Sequence, residues 1–225
     1  MINISYPINK KTPVYPNTPE LKISEYRSIA NGDSSNNSLI TIPSHYGTHL
    51  DAPRHFSDKG ACISDLTISG AINLKNVYCV SLPKQADMPI TSGDILSLPK
   101  EISNAEGILL KTGFCAERLK NPSIYTNTPP WVMGDVPDTL RRLFPNLKLY
   151  GSDTISVSSP IHREEGHLAH KGFLCNVEQP ILLLEDINLN LVSPSLSPFK
   201  LTLYPFFDED LDGSPVVTIL SLDQS

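Results

Sequence analysis

Apolar and polar positions alternate in short runs along this chain, and proline, glycine and asparagine clusters separate the runs. Residues 2–6 alternate enough to predict a first strand, and Leu21 to Ala30 a second. The β-branched run Leu39-Ile40-Thr41-Ile42-Pro43 predicts another, followed by Asn76 to Leu82 and by the apolar Gly107 to Gly113. Asp135 to Phe144 places Val136, Leu140, Leu143 and Phe144 near helical spacing, and Asn146 to Gly151 then reads as a strand. That helix–strand succession predicts an α/β architecture. Ile161 to Leu174 predicts a charged helix, and Pro180 to Ile187 a buried strand ending in the carboxylates Glu185 and Asp186. Lys200 to Tyr204 and Val216 to Leu220 predict two final strands. The acidic loop between them, Asp208 to Gly213, lacks the ligand spacing of a calcium-binding hand and reads as a solvated hairpin turn. The only tryptophan, Trp131, fits either the core or a pocket rim. With no repeat or linker, a single domain over residues 1–225 is expected.

One stretch breaks this rhythm. His45-Tyr46-Gly47-Thr48-His49-Leu50-Asp51-Ala52-Pro53-Arg54-His55-Phe56 packs three of the chain's six histidines beside an aspartate. Imidazole and carboxylate groups bind zinc or manganese, and histidine is also the general base suited to neutral pH. Gly47 and Pro53 oppose a regular helix. His45, His49, Asp51 and His55 share odd parity, so an extended chain would set them on one face. Full extension is excluded, because at ~3.3 Å per residue His45 and His55 would stand about 33 Å apart. Ligand atoms lie about 2 Å from a shared ion. The chain must therefore bend, and Gly47 and Pro53 are the places for it. The plain alternative is a histidine-rich surface loop; the shared parity beside a turn glycine favours a metal site.

Composition narrows the function classes. Hydrophobic residues make up 40% and charged residues 19%, a globular balance. A net charge of −6 without a basic run argues against nucleic acid. No apolar run approaches the ~20 residues of a membrane helix, and the start of the chain lacks signal-peptide character. Cys62, Cys79, Cys115 and Cys175 form no Cys-x-x-Cys pair, so four free thiols in a reducing cytoplasm are expected. No Gly-x-Ser-x-Gly elbow is present and no cysteine adjoins a histidine, which disfavours a nucleophilic enzyme.

The pattern His-x-Gly-Thr-His-x-Asp-x-Pro-x-His-Phe over His45 to Phe56 resembles the signature of the metal-dependent cyclase-like hydrolases. Bacterial kynurenine formamidases (arylformamidases) are their best understood members, and isatin hydrolases are relatives. The resemblance implies a swivelling β/β/α-type fold, a mixed sheet or partial barrel flanked by helices. It implies that His45, His49 and Asp51 hold one divalent ion, while Asp51 and Glu185 bridge to a second that His170 completes. Zinc is the favoured metal, although the same ligands accept manganese. In the family a His-x-x-Leu-Leu helix precedes an apolar strand ending in Glu. His170-x-x-Phe173-Leu174 and Leu184-Glu185-Asp186 match it at slightly longer spacing, with His167 and Glu178 as alternatives. His55 is implied as general base and acid, or else as a further ligand. Tyr15 stands where the family carries a pocket-lining aromatic, commonly Trp; it equally suits an anchor for its proline-rich loop. Gly151-Ser152-Asp153-Thr154-Ile155-Ser156 resembles a family turn in which Asp153 either orients a ligand histidine or caps the turn.

The implied activity is hydrolysis of an amide in a small aromatic substrate by metal-activated water. N-formylkynurenine, giving kynurenine and formate in tryptophan catabolism, is the first candidate. A cyclic amide, lactone or polyketide-like ring is the alternative substrate, and a non-catalytic metal-binding module the alternative class. Relatives imply a homodimer with its pocket near the subunit contact.

Overall fold

Short apolar strands bury both faces when helices cover one side of a sheet and the sheet curls over the other. That is the solution seen in the computed structural model, which describes residues 1–176 and 178–222. The strands are β1 (Ile2–Asn3), β2 (Lys22–Arg27), β3 (Asn37–Thr41), β4 (His49–Asp51), β5 (Ile72–Ser81), β6 (Pro89–Ile90), β7 (Gly107–Lys111), β8 (Trp131–Val132), β9 (Leu149–Ser152), β10 (Leu182–Glu185), β11 (Ser195–Pro205) and β12 (Gly213–Leu222). The helices are α1 (Ile63–Leu66), α2 (Ser92–Leu96), α3 (Glu117–Lys120), α4 (Pro122–Asn127), α5 (Val136–Leu143) and α6 (Arg163–Leu174).

Among the described residues β12, β11, β5, β7, β9, β10 and β4 pair in that order, and β4 returns to β12, closing a mixed barrel. β5, β7, β9 and β10 run parallel, whereas β4 is antiparallel to both of its neighbours. Strand alternation divides the apolar residues between two cores. Val77, Cys79, Leu109, Leu182 and Leu184 fill the barrel, joined by Leu50. Tyr78, Val80, Ile108, Leu110 and Leu183 face outward, onto Ile95 of α2, Leu140 of α5 and Phe173 of α6. The α/β class with a helix-flanked mixed sheet is thus observed, with the ring closed.

Of the barrel strands, β5, β7, β9, β10, β11 and β12 fall where periodicity predicts them, with shifted boundaries, whereas β4 lies on residues where no strand is predicted. The run at 39–43 differs. It pairs with β2 in a separate two-stranded hairpin, exposed along its length, and does not itself carry the histidine motif. The motif enters the barrel through β4 instead. Trp131 lies in the short β8, where its indole donates to the Asp87 carbonyl and stacks on His162, away from the histidine motif.

Behind the end of β10, a buried ion pair fixes the chain. Arg118 donates two 2.7 Å hydrogen bonds to Asp186, and the Tyr125 hydroxyl donates a third, also at 2.7 Å. Asp186 is fully buried and sits at φ 54°, a conformation that needs such support. Arg118→Met leaves that carboxylate without its cation and is expected to cost about 3–5 kcal/mol. Urea denaturation of the two proteins, compared at equal m-value, checks this.

Candidate metal centre

Local geometry sets the motif residues in place. Gly47, at φ 63°, makes the bend that leads into β4. His49 and Asp51 then share one face of that strand, and Leu50 between them points into the barrel with no exposure. Glu185 is the direct cross-strand partner of His49, and Gly213 that of Asp51. Pro53 opens a short 3₁₀ turn (Pro53–His55), and His55 donates its backbone N–H to the Ala52 carbonyl. α6 lies over this face and supplies His170, whose ring stacks on Phe56 at 4.7 Å.

The distances suit an ion. His49 Nε2 lies 3.3 Å from Asp51 Oδ1 and 3.4 Å from Glu185 Oε2. Ligands about 2.1 Å from a tetrahedral ion stand about 3.4 Å apart. His170 Nε2 faces Asp51 Oδ2 at 3.8 Å and Glu185 Oε1 at 3.9 Å, beyond hydrogen-bond reach. Asp51 Oδ2 is buried without any hydrogen-bond partner, an orphaned anion that a cation would satisfy. His49 and His170 each donate Nδ1–H to a backbone carbonyl, Gly47 at 2.8 Å and Gly166 at 2.7 Å, leaving Nε2 as the coordinating atom. His49, Asp51 and Glu185 form one group able to hold an ion, and His45, Asp51 and His55 form another.

Of the residues that spacing leaves open, two lie by the motif and two do not. His170 and Glu185 face the motif. His167 lies on the pocket wall against Phe56, and Glu178 is an exposed residue on another part of the surface. Asp153 accepts hydrogen bonds from the backbone of Thr112 and Gly113, so it caps a turn and touches no histidine of the motif. Ser156, from the same Gly151–Ser156 turn, reaches the site: its hydroxyl and the Val157 N–H both donate to Glu185 Oε1.

The acidic loop is the exposed turn of the β11–β12 hairpin, as expected, but Asp212 at its end brings a correction: its side chain, still 39% exposed, turns its carboxylate to the motif. Its Oδ2 meets His45 Nε2 at 2.8 Å and His55 Nδ1 at 3.1 Å, while Ser44 donates to Oδ1. A Cβ on Gly213 would come within 2.5 Å of the His45 ring, so glycine there is required for this approach. The Asp-Gly pair at the start of an apolar strand was the only sequence signal for it.

These carboxylates set the charge state of the imidazoles. Burial would lower the His45 pKa, but Asp51 and Asp212 outweigh it and raise it from 6.5 to about 9. His49 is likewise raised despite burial, by Asp51 and Glu185. Asp51 is held well below the usual carboxylate range, its burial overcome by His45 and His49.

The pocket beside the site has a volume of about 530 Å³. Its walls include Pro13, Tyr15, Phe56 and Ile155, with Arg163 at the start of α6. Tyr15 also packs on Phe114, Tyr125 and Ile155, and its hydroxyl lies 3.5 Å from the Ser158 hydroxyl, so it anchors its loop while lining the pocket.

The family model named Cyclase matches residues 2–159, most of the chain. The chain belongs to the cyclase family. This cyclase-family chain is 28% identical over 219 residues to a kynurenine formamidase of Geobacillus thermodenitrificans, covering 96% of this chain and 94% of that one. Its fold resembles a solved structure described as a predicted metal-dependent hydrolase from Bacillus stearothermophilus, with TM-score 0.71, 23% identity, and 97% and 96% of the two chains covered. Isatin hydrolase A from Labrenzia aggregata superposes with TM-score 0.74 at 17% identity, over 99% and 93% of the chains. His170, Glu185 and Asp212 all lie beyond the matched residues, so the family model and the geometry are separate observations.

Protonation supplies a test. His45 in the metal-free protein has a pKa near 9, so its contribution to stability is complete below about pH 6.5 and is lost as pH rises through 9. Melting of chelated protein is expected to fall between pH 7 and 9.5. Zinc held by His45 at pH 7 would displace its proton, and calorimetry in buffers of different ionisation enthalpy is expected to show proton release.

Proposed function

We propose that this cyclase-family chain is a metal-dependent hydrolase of an amide bond in a small aromatic substrate, N-formylkynurenine first among candidates. The observation that carries the reading is Asp51 Oδ2, buried, unpartnered and facing His170, beside a His49–Asp51–Glu185 group at ligand spacing. The relatives named kynurenine formamidase support the substrate class, and the pocket's proline and aromatic walls suit an aryl ring. Arg163 at its rim suits a substrate carboxylate.

His45, His49, Asp51, His170 and Glu185 would hold the metal. Asp51 turns Oδ1 to His45 and His49 and Oδ2 to His170, which favours two ions, and the nitrogen–oxygen donor set favours zinc while accepting manganese. A divalent ion bound there supplies acidified water and a polarised carbonyl. His55 then takes a proton from the attacking water and returns it to the departing amine nitrogen, as the amide C–N bond breaks and formate leaves. Tyr15 would line the part of the pocket that the substrate fills.

The test combines elemental analysis with hydrolysis of N-formylkynurenine, isatin and a lactone panel. Purified protein is expected to retain transition metal and to prefer the formamide. Isatin or a lactone as the better substrate would move the reading to ring opening. His170→Ala and Glu185→Gln are expected to lose metal. His55→Ala is expected to keep it while losing about 10²–10⁴ in rate. A protein that takes up no zinc or manganese removes the proposal.

We also propose a homodimer in a reducing cytoplasm. The hairpin of β2 and β3 leaves Ile23, Tyr26, Leu39 and Ile40 exposed, and a two-stranded hairpin in water is marginal unless something packs on it. The four cysteines carry no disulfide. Light scattering is expected to give twice the 24.8 kDa chain mass, and Ile40→Glu to shift it toward the monomer.

A further inference from the structure

The carboxylate of Asp212 has no counterpart in the ligand scheme above, yet it is bonded to two of the motif histidines. Both it and His55 are tied to one residue. Ala52 donates its N–H to the Asp212 carbonyl at 2.9 Å and accepts the His55 N–H at 2.9 Å. The side chains consequently meet across a fixed backbone frame, with His55 Nδ1 at 3.1 Å from Asp212 Oδ2. The Ser44 hydroxyl occupies Oδ1 and so holds the carboxylate's rotation. The His45 ring, tilted 33° to that of His55 with centroids 3.9 Å apart, donates to the same Oδ2 from Nε2. Neighbouring acids of the loop are spent elsewhere: Asp208 accepts from Thr67 and Asp210 from Ser64.

We propose that Asp212 is a positioning residue for His55, accepting its Nδ1–H and thereby leaving Nε2 as the nitrogen that exchanges protons in the pocket. A carboxylate accepts only, so it selects one imidazole tautomer, the one protonated at Nδ1. His55 lines the pocket, and its Nε2 has no hydrogen-bond partner among the described residues. The arrangement is that of a general base oriented by an acid, reached here from residues 157 positions apart. It rests on the reading of His55 as the proton carrier, and it adds the group that makes His55 competent.

The experiment uses zinc-loaded full-length protein with ¹⁵N-labelled histidine. Long-range proton–nitrogen correlation spectra are expected to show His55 protonated at Nδ1 in the wild type. Asp212→Asn can turn its amide N–H toward Nδ1 and is expected to shift the proton to Nε2. In the same variant kcat is expected to fall about 10²–10⁴-fold. Its zinc content is expected to be unchanged and its KM to change little. Asp212→Glu is expected to recover part of the lost rate, as a merely structural loop residue would not. A wild-type His55 protonated at Nε2 overturns the assignment, whatever the variants do. So does an Asp212→Asn protein that keeps the Nδ1 tautomer and full kcat, or one that loses zinc, which would make Asp212 a ligand. The spectra read the tautomer even if every tested amide is inert, so failure of the substrate reading stays separate from failure of this one.

Discussion

The site depends on three residues hydrogen-bonded along both edges. β4 is too short to hold itself, and its position is fixed because β10 pairs with one side and β12 with the other. That double pairing closes the barrel and sets the register in the same stroke. A slip of one residue would turn Leu50 outward and drive His49 and Asp51 into an apolar interior. Burial of Leu50 against Leu184 and Val216 thus does chemical work, since it obliges its two neighbours to face α6. The geometry of the candidate metal centre follows from the barrel's closure and needs no separate device.

Electrostatics then separates structure from chemistry within one strand end. Glu185 and Asp186 are adjacent and both buried, and a buried carboxylate costs several kcal/mol unless it is compensated. Asp186 is compensated permanently by Arg118 and Tyr125, whose bonds fill both of its oxygens. Glu185 has one oxygen held by Ser156 and Val157 and presents the other to His49. Imidazoles can give up their protons to make room for a metal, and a guanidinium cannot. The fixed pair anchors the turn; the exchangeable group next to it is free for an ion. Thr48 links the two halves, since its hydroxyl donates to the Asp186 carbonyl while accepting the Tyr6 N–H.

Periodicity made the barrel legible because most of its strands are apolar on both faces and end at glycine, proline or acidic turns. β4 was not legible as a strand: two of its three residues are polar, so no alternation marks it out. The odd-parity argument was half right for a physical reason. His49 and Asp51 do share a strand face, but His45 and His55 reach the same place from the bends on either side, where Gly47 and Pro53 stand. His170 and Glu185 could be found only through resemblance, since a histidine on a helix and a glutamate ending a strand are common. Asp212 escaped because an acidic loop before a strand has an ordinary explanation, and pairing of β12 with β4 is invisible along the sequence. For Asp153 the sequence left ligand support and turn capping open, and the backbone of Thr112 and Gly113, remote in sequence, takes its carboxylate.

Ligands and pocket walls come from different parts of the fold, and this limits what family membership can say. Most of the candidate metal-site side chains sit on β4, β10 and α6, elements locked by strand pairing or by packing on the sheet. Tyr15, Pro13 and Pro19 belong to a connecting loop, and Ser158 and Arg163 to the segment entering α6. Such connections change without disturbing register, so one barrel serves substrates of different shape. Tyr15 sets a hydroxyl beside Ser158 on the pocket wall, on a loop separate from the strands that carry His49, Asp51 and Glu185. Reaction class is therefore written in the barrel and its covering helix, and substrate choice in residues that the barrel does not constrain.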